Sequence, residues 1–192
     1  MTTRPTGQWL VDSDGHRWWF ESGALALDFA YTGPIAGYAE TLAGPDELSA
    51  WLTSQFGELA APASESELKD AKALRASIAD AATSLVRGDG IASSDVDVIN
   101  LFAATPDIAP ALDGASRQAG RSRVRTGQAL SALARAAVEL FSGETGRIRQ
   151  CAASDCSVVF YDESRSNNRR WCSMQRCGNR AKVRSFRATR RP

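Results

Sequence analysis

Apolar residues recur every three to four positions along much of the chain, the spacing that places side chains on one face of an α-helix. This pattern predicts a helix over 45–56 that ends at Gly57, and a longer one that begins at 64–67 and ends by Gly88. It also predicts a helix from about Ser94 to before Pro106, and a last one over 126–142. Residues 1–146 are therefore predicted to be mainly helical.

The N-terminal segment carries patterns that are typical of strands. Residues 18–20 (Trp-Trp-Phe) predict a strand, with a turn at 12–15 before it. From 23 to 32, Leu25, Leu27 and Phe29 alternate with smaller or polar residues, which suits a strand, while the alanines of the same segment also allow a helix. With either alternative, the N-terminal domain is expected to contain a small β element.

The C-terminal segment, 147–192, has a different pattern. β-branched and aromatic residues at 157–161 predict a short strand, and the polar residues at 162–168 predict a loop. Ser173 is placed to cap a proline-free helix that reaches about Arg187.

The formal net charge of +1 hides two unlike parts. Residues 147–192 hold 12 Lys and Arg against three Asp and Glu, a net charge of +9, whereas residues 1–146 hold 11 against 19, a net charge of −8. Such asymmetry indicates a nucleic acid or another acidic partner, and its alternative is a disordered basic extension. Because the sequence contains no run of 18 apolar residues and no secretory signal, we expect a cytoplasmic protein without a membrane partner.

All four cysteines lie in the basic segment, as two C-x4-C pairs: Cys151 with Cys156, and Cys172 with Cys177. In a reducing compartment, four clustered thiols favour a closed tetrahedral zinc site, which would supply the folding free energy that so small a segment lacks. The cofactor predicted is therefore one structural Zn²⁺ ion. A thiol redox switch and an iron–sulfur cluster are the alternatives for the same residues.

These elements predict an α+β protein. Its N-terminal domain (1–146) is mainly helical with a small β element, and its C-terminal part (147–192) is a treble-clef-like zinc finger made of a knuckle, a β-hairpin and a helix. Four arginines of that helix are spaced four, four and three residues apart and share one stripe. DNA phosphates would neutralise this stripe, and docking onto the acidic N-terminal domain is the alternative. The candidate DNA contacts are Arg169, Arg170, Arg176, Arg180, Lys182, Arg184 and Arg187.

Three stretches of this segment resemble the CGNR zinc-finger family: Cys-Ala-Ala-Ser-Asp-Cys at 151–156, Arg-Arg-Trp-Cys-Ser-Met at 169–174 and Cys-Gly-Asn-Arg-Ala-Lys at 177–182. In that bacterial family the finger follows an ABATE domain, and the proteins are regarded as stress-induced transcription regulators. Residues 25–32 resemble the ABATE signature, with Tyr31 where the family usually has Asn. The resemblance implies zinc on the four cysteines and a DNA-binding finger.

One-component regulators suggest by analogy that the N-terminal domain senses a small-molecule effector or forms a homodimer. The candidate ligand-binding residues are His16, Trp18, Asp28, Thr32 and Arg75. The sequence shows no catalytic constellation, because a single histidine leaves nucleophile arrangements without a base, so we do not expect an enzyme. The function predicted is a zinc-dependent DNA-binding transcription regulator. A protein-interaction adaptor and a thiol redox sensor are the alternatives.

Overall fold

The computed structural model describes residues 6–11, 15–34, 36–110 and 123–189. The helices are α1 (Leu25–Ala30), α2 (Pro45–Phe56), α3 (Glu65–Arg87), α4 (Ser93–Ala103), α5 (Thr126–Ser142) and α6 (Asn179–Thr189). The strands are β1 (Gln8–Val11), β2 (Arg17–Phe20), β3 (Ile148–Gln150) and β4 (Val159–Tyr161), which form two antiparallel hairpins. The α+β fold is therefore confirmed. Most of the turn predicted at 12–15 lies outside the described residues.

The helix boundaries of the N-terminal domain follow from local capping. Before α3, the Ser64 hydroxyl accepts a hydrogen bond from the backbone N–H of Glu67, and the Glu67 carboxylate accepts one from the N–H of Ser64 in return. The helix ends where Gly88 adopts a left-handed conformation with φ of 80°. Because such signals lie next to the helix they delimit, the sequence predicts the bounds of α2, α3 and α5 to within a residue.

Segment 23–32, for which strand and helix were both open, forms α1. Five of its six residues are buried, Leu25 being the exception. A helix that is buried on almost every side has no polar face, so its apolar residues show no helical period in the sequence. This burial is the reason why the alternation of leucines and alanines did not decide between the two alternatives.

The main hydrophobic core lies between α1, α3, α4 and α5, where α1 packs against α3 and α5, and α4 packs against the same two helices. Two residues of the C-terminal segment, Ile148 of β3 and Val159 of β4, belong to this core. The fully buried side chains include Leu27, Phe29, Leu48, Leu52, Leu74, Ile78, Leu130 and Leu133. None of the described helices is both long and apolar enough to cross a membrane.

A second, smaller core joins the N-terminal hairpin β1–β2 to the cysteine segment. Residues on one face of the hairpin, Leu10 and Phe20, are buried against Tyr31 and the cysteines, while Trp9 and Trp19 face outward. The edge of Phe20 meets Tyr31 with ring centroids 4.8 Å apart. The hairpin therefore packs with the cysteine segment rather than with the long helices.

The free edge of β4 is covered by residues on both sides of α1, Ser22 and Gly23 before the helix and Tyr31 after it. The hydroxyl of Tyr31 accepts a hydrogen bond from the N–H of Val159 (2.7 Å) and donates one to the carbonyl of the same residue (3.0 Å). The N–H of Tyr161 donates to the carbonyl of Ser22 (2.7 Å). Gly23, with φ of 80°, lies so close to the Tyr161 carbonyl that a Cβ atom would collide with it. This contact therefore requires glycine at position 23.

Candidate metal centre

The four cysteines come from two short segments, the connection between β3 and β4 and the segment that leads into α6. Cys151 directly follows β3, and Cys156 lies shortly before β4, so the knuckle forms the connection of the β3–β4 hairpin. Cys172 precedes a π-helical turn, Met174–Gly178, that contains Cys177 and leads into α6. A hydrogen bond from the N–H of Gly178 to the carbonyl of Ser173 (3.0 Å) spans five residues, the same spacing as the second cysteine pair. The turn thereby brings the Sγ atoms of Cys172 and Cys177 close together.

The sulfur positions fit a tetrahedral zinc ion. All four Sγ atoms lie within 4.8 Å of one another, with Cys156 and Cys172 3.8 Å apart and Cys172 and Cys177 3.5 Å apart. Zinc–sulfur bonds of about 2.3 Å in a tetrahedron place neighbouring sulfurs about 3.8 Å apart. None of the four cysteines forms a disulfide. The donor set therefore suits one Zn²⁺ ion.

The site is closed. Cys151, Cys172 and Cys177 are buried and Cys156 is half-buried, with Phe160 and Val158 in the surrounding core. The backbone N–H of Cys172 points at the Sγ of Cys151 at 3.4 Å. Because four protein ligands leave no position for a substrate, the arrangement holds a structural metal rather than a catalytic one.

The thiols share their protons in this cluster. Hydrogen bonds from Cys156 and Cys172 lower the pKa of Cys151, and the same contacts raise the pKa of Cys156 to about 12 and also raise the pKa of Cys172. When bound, zinc supplies the positive charge that lets all four sulfurs exist as thiolates together.

Two charged residues, the buried Asp162 and the half-buried Arg169, hold the loop between the cysteine pairs. The Asp162 carboxylate accepts hydrogen bonds from the N–H groups of Ser164 (2.9 Å) and Arg169 (2.8 Å). Burial alone would raise the pKa of Asp162, but these hydrogen bonds outweigh it and hold the pKa below its ordinary value. The guanidinium of Arg169 stacks on Phe160 at 4.2 Å and donates to the carbonyls of Glu21, Trp171 and Cys172.

The arginines of the predicted stripe contact different groups in the structure. Arg176 donates to the Tyr38 hydroxyl (2.8 Å) and stacks on Trp18, both in the N-terminal domain. Arg180 and Arg184 pair with the carboxylate of Asp155 in the knuckle, at 3.3 and 2.9 Å. Among the described residues, the exposed positions without an acidic partner are Arg170, which stacks on Trp171 at 5.1 Å, and Lys182 and Arg187, which have no partner there.

The five candidate ligand-binding residues do not line one common site. Arg75 is buried, donates to Thr32, and forms a two-pronged ion pair with Glu40 at 2.7 and 2.6 Å. The hydrogen bonds from Arg75 lower the pKa of Glu40. Asp28 instead accepts hydrogen bonds from the backbone of Gly7 and the hydroxyl of Ser22. The two remaining candidates belong to the hairpin region, His16 exposed beside β2 and Trp18 half-buried on the hairpin itself.

Two comparisons with protein families bear on this architecture. A family model described as "Putative stress-induced transcription regulator", ABATE, matches residues 23–144, more than half of the chain. The chain belongs to the ABATE family. In this ABATE protein a second model, the CGNR zinc finger, matches residues 147–190 and includes all four cysteines. No curated protein matches the sequence.

The matches and the sulfur geometry together confirm one structural zinc ion held by the four cysteines of this ABATE protein, a zinc-binding member of a regulator family. The sequence reasoning missed two residues that shape the site. Asp162 reads as an ordinary loop carboxylate, and nothing in its neighbourhood marks it as buried. For Tyr31 the sequence carried one indication of a special role, because a tyrosine stands where the family signature usually has Asn.

Asp28 makes stability depend on pH. Burial raises its pKa from 3.8 to about 6, outweighing the hydrogen bonds from Ser22 and Gly7, with Glu163 adding repulsion. A carboxyl whose pKa is higher in the folded state favours folding while it is protonated, so stability falls as pH rises through that value. Between pH 5 and 7 the free energy of unfolding should fall by about 1 kcal/mol more in the wild type than in Asp28→Asn.

Urea denaturation at several pH values measures this difference. Asp80→Asn is the matched control, because Asp80 is exposed on α3 and should leave the pH dependence of the wild type intact. Parallel curves for the wild type and Asp28→Asn would contradict the prediction.

Proposed function

We propose that this protein is a cytoplasmic, non-enzymatic transcription regulator that binds DNA through the zinc finger. One observation carries the proposal: α6 packs mainly on the π-helical turn beside the metal and presents Lys182 and Arg187, exposed and without a described partner. Cationic side chains held this way attract phosphate and release its counterions.

The charge of the finger supports an anionic partner of this kind. Residues 147–192 have a net charge of +9, and a zinc ion with four thiolates changes it by −2, leaving +7. Described acidic neighbours neutralise only part of it, since Asp155 pairs with Arg180 and Arg184, and the buried Asp162 lies 3.9 Å from Arg149. A duplex lying along α6 would meet the remaining cations.

The contacts of each side chain separate the candidates that stabilise the finger from those proposed to contact DNA. Arg169 donates to three backbone carbonyls, and Arg176 contacts Tyr38 and Trp18 of the N-terminal domain, so both side chains hold the finger in place. The proposed DNA contacts are Arg170, Lys182, Arg184 and Arg187.

We propose that the N-terminal domain provides the regulatory input, through a small-molecule effector or through a homodimer. A cavity of about 410 Å³ supports the first of these. It is lined by Gly33, Arg75, Asp80 and Thr83 together with small apolar residues. A thermal-shift screen with metabolite classes tests this part of the proposal, and a wild-type shift that persists in Thr83→Val would place the effector elsewhere.

DNA binding is tested by removing the two unpartnered cations. In Lys182→Ala/Arg187→Ala, affinity for a labelled duplex from upstream of the protein's own gene should fall roughly tenfold or more at low salt. The slope of log affinity against log salt should become shallower by about two, because each lost phosphate contact contributes about one. Fluorescence anisotropy over a salt series measures both quantities.

The matched control is Lys69→Ala/Arg87→Ala, which removes the same two charges from exposed positions on α3. This control should bind like the wild type. If both double variants lost the same affinity for the duplex, binding would depend on net charge alone, and the assignment of the DNA contacts to α6 would be wrong. Failure of the zinc-loaded wild type to bind any duplex would favour the protein-interaction adaptor.

A further inference from the structure

We propose that Arg180 is a positioning residue for the zinc site, which donates a hydrogen bond to the Cys177 thiolate while Asp155 holds its guanidinium in place. We call these three residues the Asp155–Arg180–Cys177 relay. The proposal concerns the metal site alone and does not depend on DNA binding.

The geometry of the relay joins the two ligand pairs. Nη2 of Arg180 lies 3.1 Å from the Sγ of Cys177, and Nη1 lies 3.3 Å from Oδ2 of Asp155. Asp155 immediately precedes the ligand Cys156, and Arg180 follows the ligand Cys177 by three residues, about one helical turn. The guanidinium therefore connects the knuckle to the start of α6 beside the metal.

The electrostatics favour a guanidinium at this position. A zinc ion with four thiolates has a net charge of −2, and a cation that donates a hydrogen bond to one sulfur compensates part of it. A guanidinium stays protonated in proteins, so this side chain remains charged beside the sulfur. The Nε atom of Arg180 is buried and has no acceptor among the described residues, while 41% of the whole side chain is exposed.

The same contacts explain why Arg180 is not counted among the proposed DNA contacts. Two of its nitrogens point at groups of the finger, and the third is buried. Arg184, one turn later, shares the Asp155 carboxylate at 2.9 Å, and 56% of its side chain is exposed. Asp155 therefore also fixes the direction in which α6 leaves the metal site.

The experiment measures zinc affinity in the full-length protein by competition with a chromophoric chelator. Hydrogen-bond partners of metal ligands typically change metal affinity by about 10- to 100-fold when they are removed. Arg180→Ala should therefore weaken zinc binding about tenfold or more, and N-ethylmaleimide should label Cys177 faster in the zinc-loaded protein. Arg180→Lys, which keeps the charge but not the two-pronged geometry, should fall between Arg180→Ala and the wild type.

Arg165→Ala is the matched control, since it removes an exposed arginine of the same finger without touching the relay. Its zinc affinity should stay within about twofold of the wild type. If Arg180→Ala does not fold, the zinc affinity and the Cys177 labelling rate of Arg180→Lys test the proposal instead. Zinc affinity and Cys177 labelling equal to those of the wild type in the folded Arg180 variants would overturn the proposal.

Discussion

Replacing Cys172 with serine should abolish zinc binding and unfold the C-terminal segment. Cys172 is buried, with its Sγ atom 3.8 and 3.5 Å from those of Cys156 and Cys177. The apparent free energy of zinc binding is about 10 to 16 kcal/mol in zinc-finger peptides near neutral pH, at least as large as the total stability of most domains. The second core, which has the cysteines at its centre, cannot compensate for such a loss.

Zinc content and amide hydrogen exchange measure this outcome. The amides of β3, β4 and α6 should lose their protection, whereas those of α3 and α5, which are packed in the main core, should keep it. Ser173→Ala is the control, because it alters the neighbouring residue without removing a ligand, and its side chain caps no helix. A Cys172→Ser protein with full zinc content and protected β3–β4 amides would contradict the prediction.

Removing a single oxygen atom in Tyr31→Phe should lower the free energy of unfolding by about 2 to 4 kcal/mol. The substitution leaves two buried backbone groups of Val159 without a partner, and each such group costs about 1 to 3 kcal/mol. Burial raises the pKa of Tyr31 far above its ordinary value, so the hydroxyl keeps the proton that it donates.

Tyr38→Phe is the matched control for this variant. It deletes the same atom from a half-buried tyrosine whose hydroxyl accepts one hydrogen bond, from Arg176. The expected loss is about 1 kcal/mol, because the half-buried guanidinium of Arg176 can bond to water in place of the lost hydroxyl. Urea denaturation gives both values, and equal effects of the two substitutions would show that the Tyr31 contact adds nothing specific.

Sequence reasoning worked where the determinants are local. The predicted helices at 45–56 and 126–142 coincide with α2 and α5, because proline, glycine and capping residues delimit a helix from adjacent positions. The four metal ligands could also be predicted from the sequence, because two cysteine pairs at a fixed spacing indicate metal binding by residue type alone.

The contacts that the sequence did not predict join residues far apart in the chain. The Tyr31–Val159 hydrogen bonds span 128 positions, and the bond from Arg169 to Glu21 spans 148. No local period or spacing encodes such pairs. Sequence pattern also shows that arginines share a helical stripe but not which acceptor each one meets, such as the Tyr38 hydroxyl at Arg176 and the Cys177 sulfur at Arg180.

The way the N-terminal segment covers β4 limits how the finger can be transplanted. The zinc-finger match begins at residue 147, yet a fragment cut there would carry β4 with its edge stripped of Tyr31 and Ser22, and its cysteine core without Phe20. Exposed strand edges promote pairing between chains. A chimera that exchanges zinc fingers between relatives should therefore move the N-terminal hairpin and residues 21–31 together with the finger, as one non-contiguous unit.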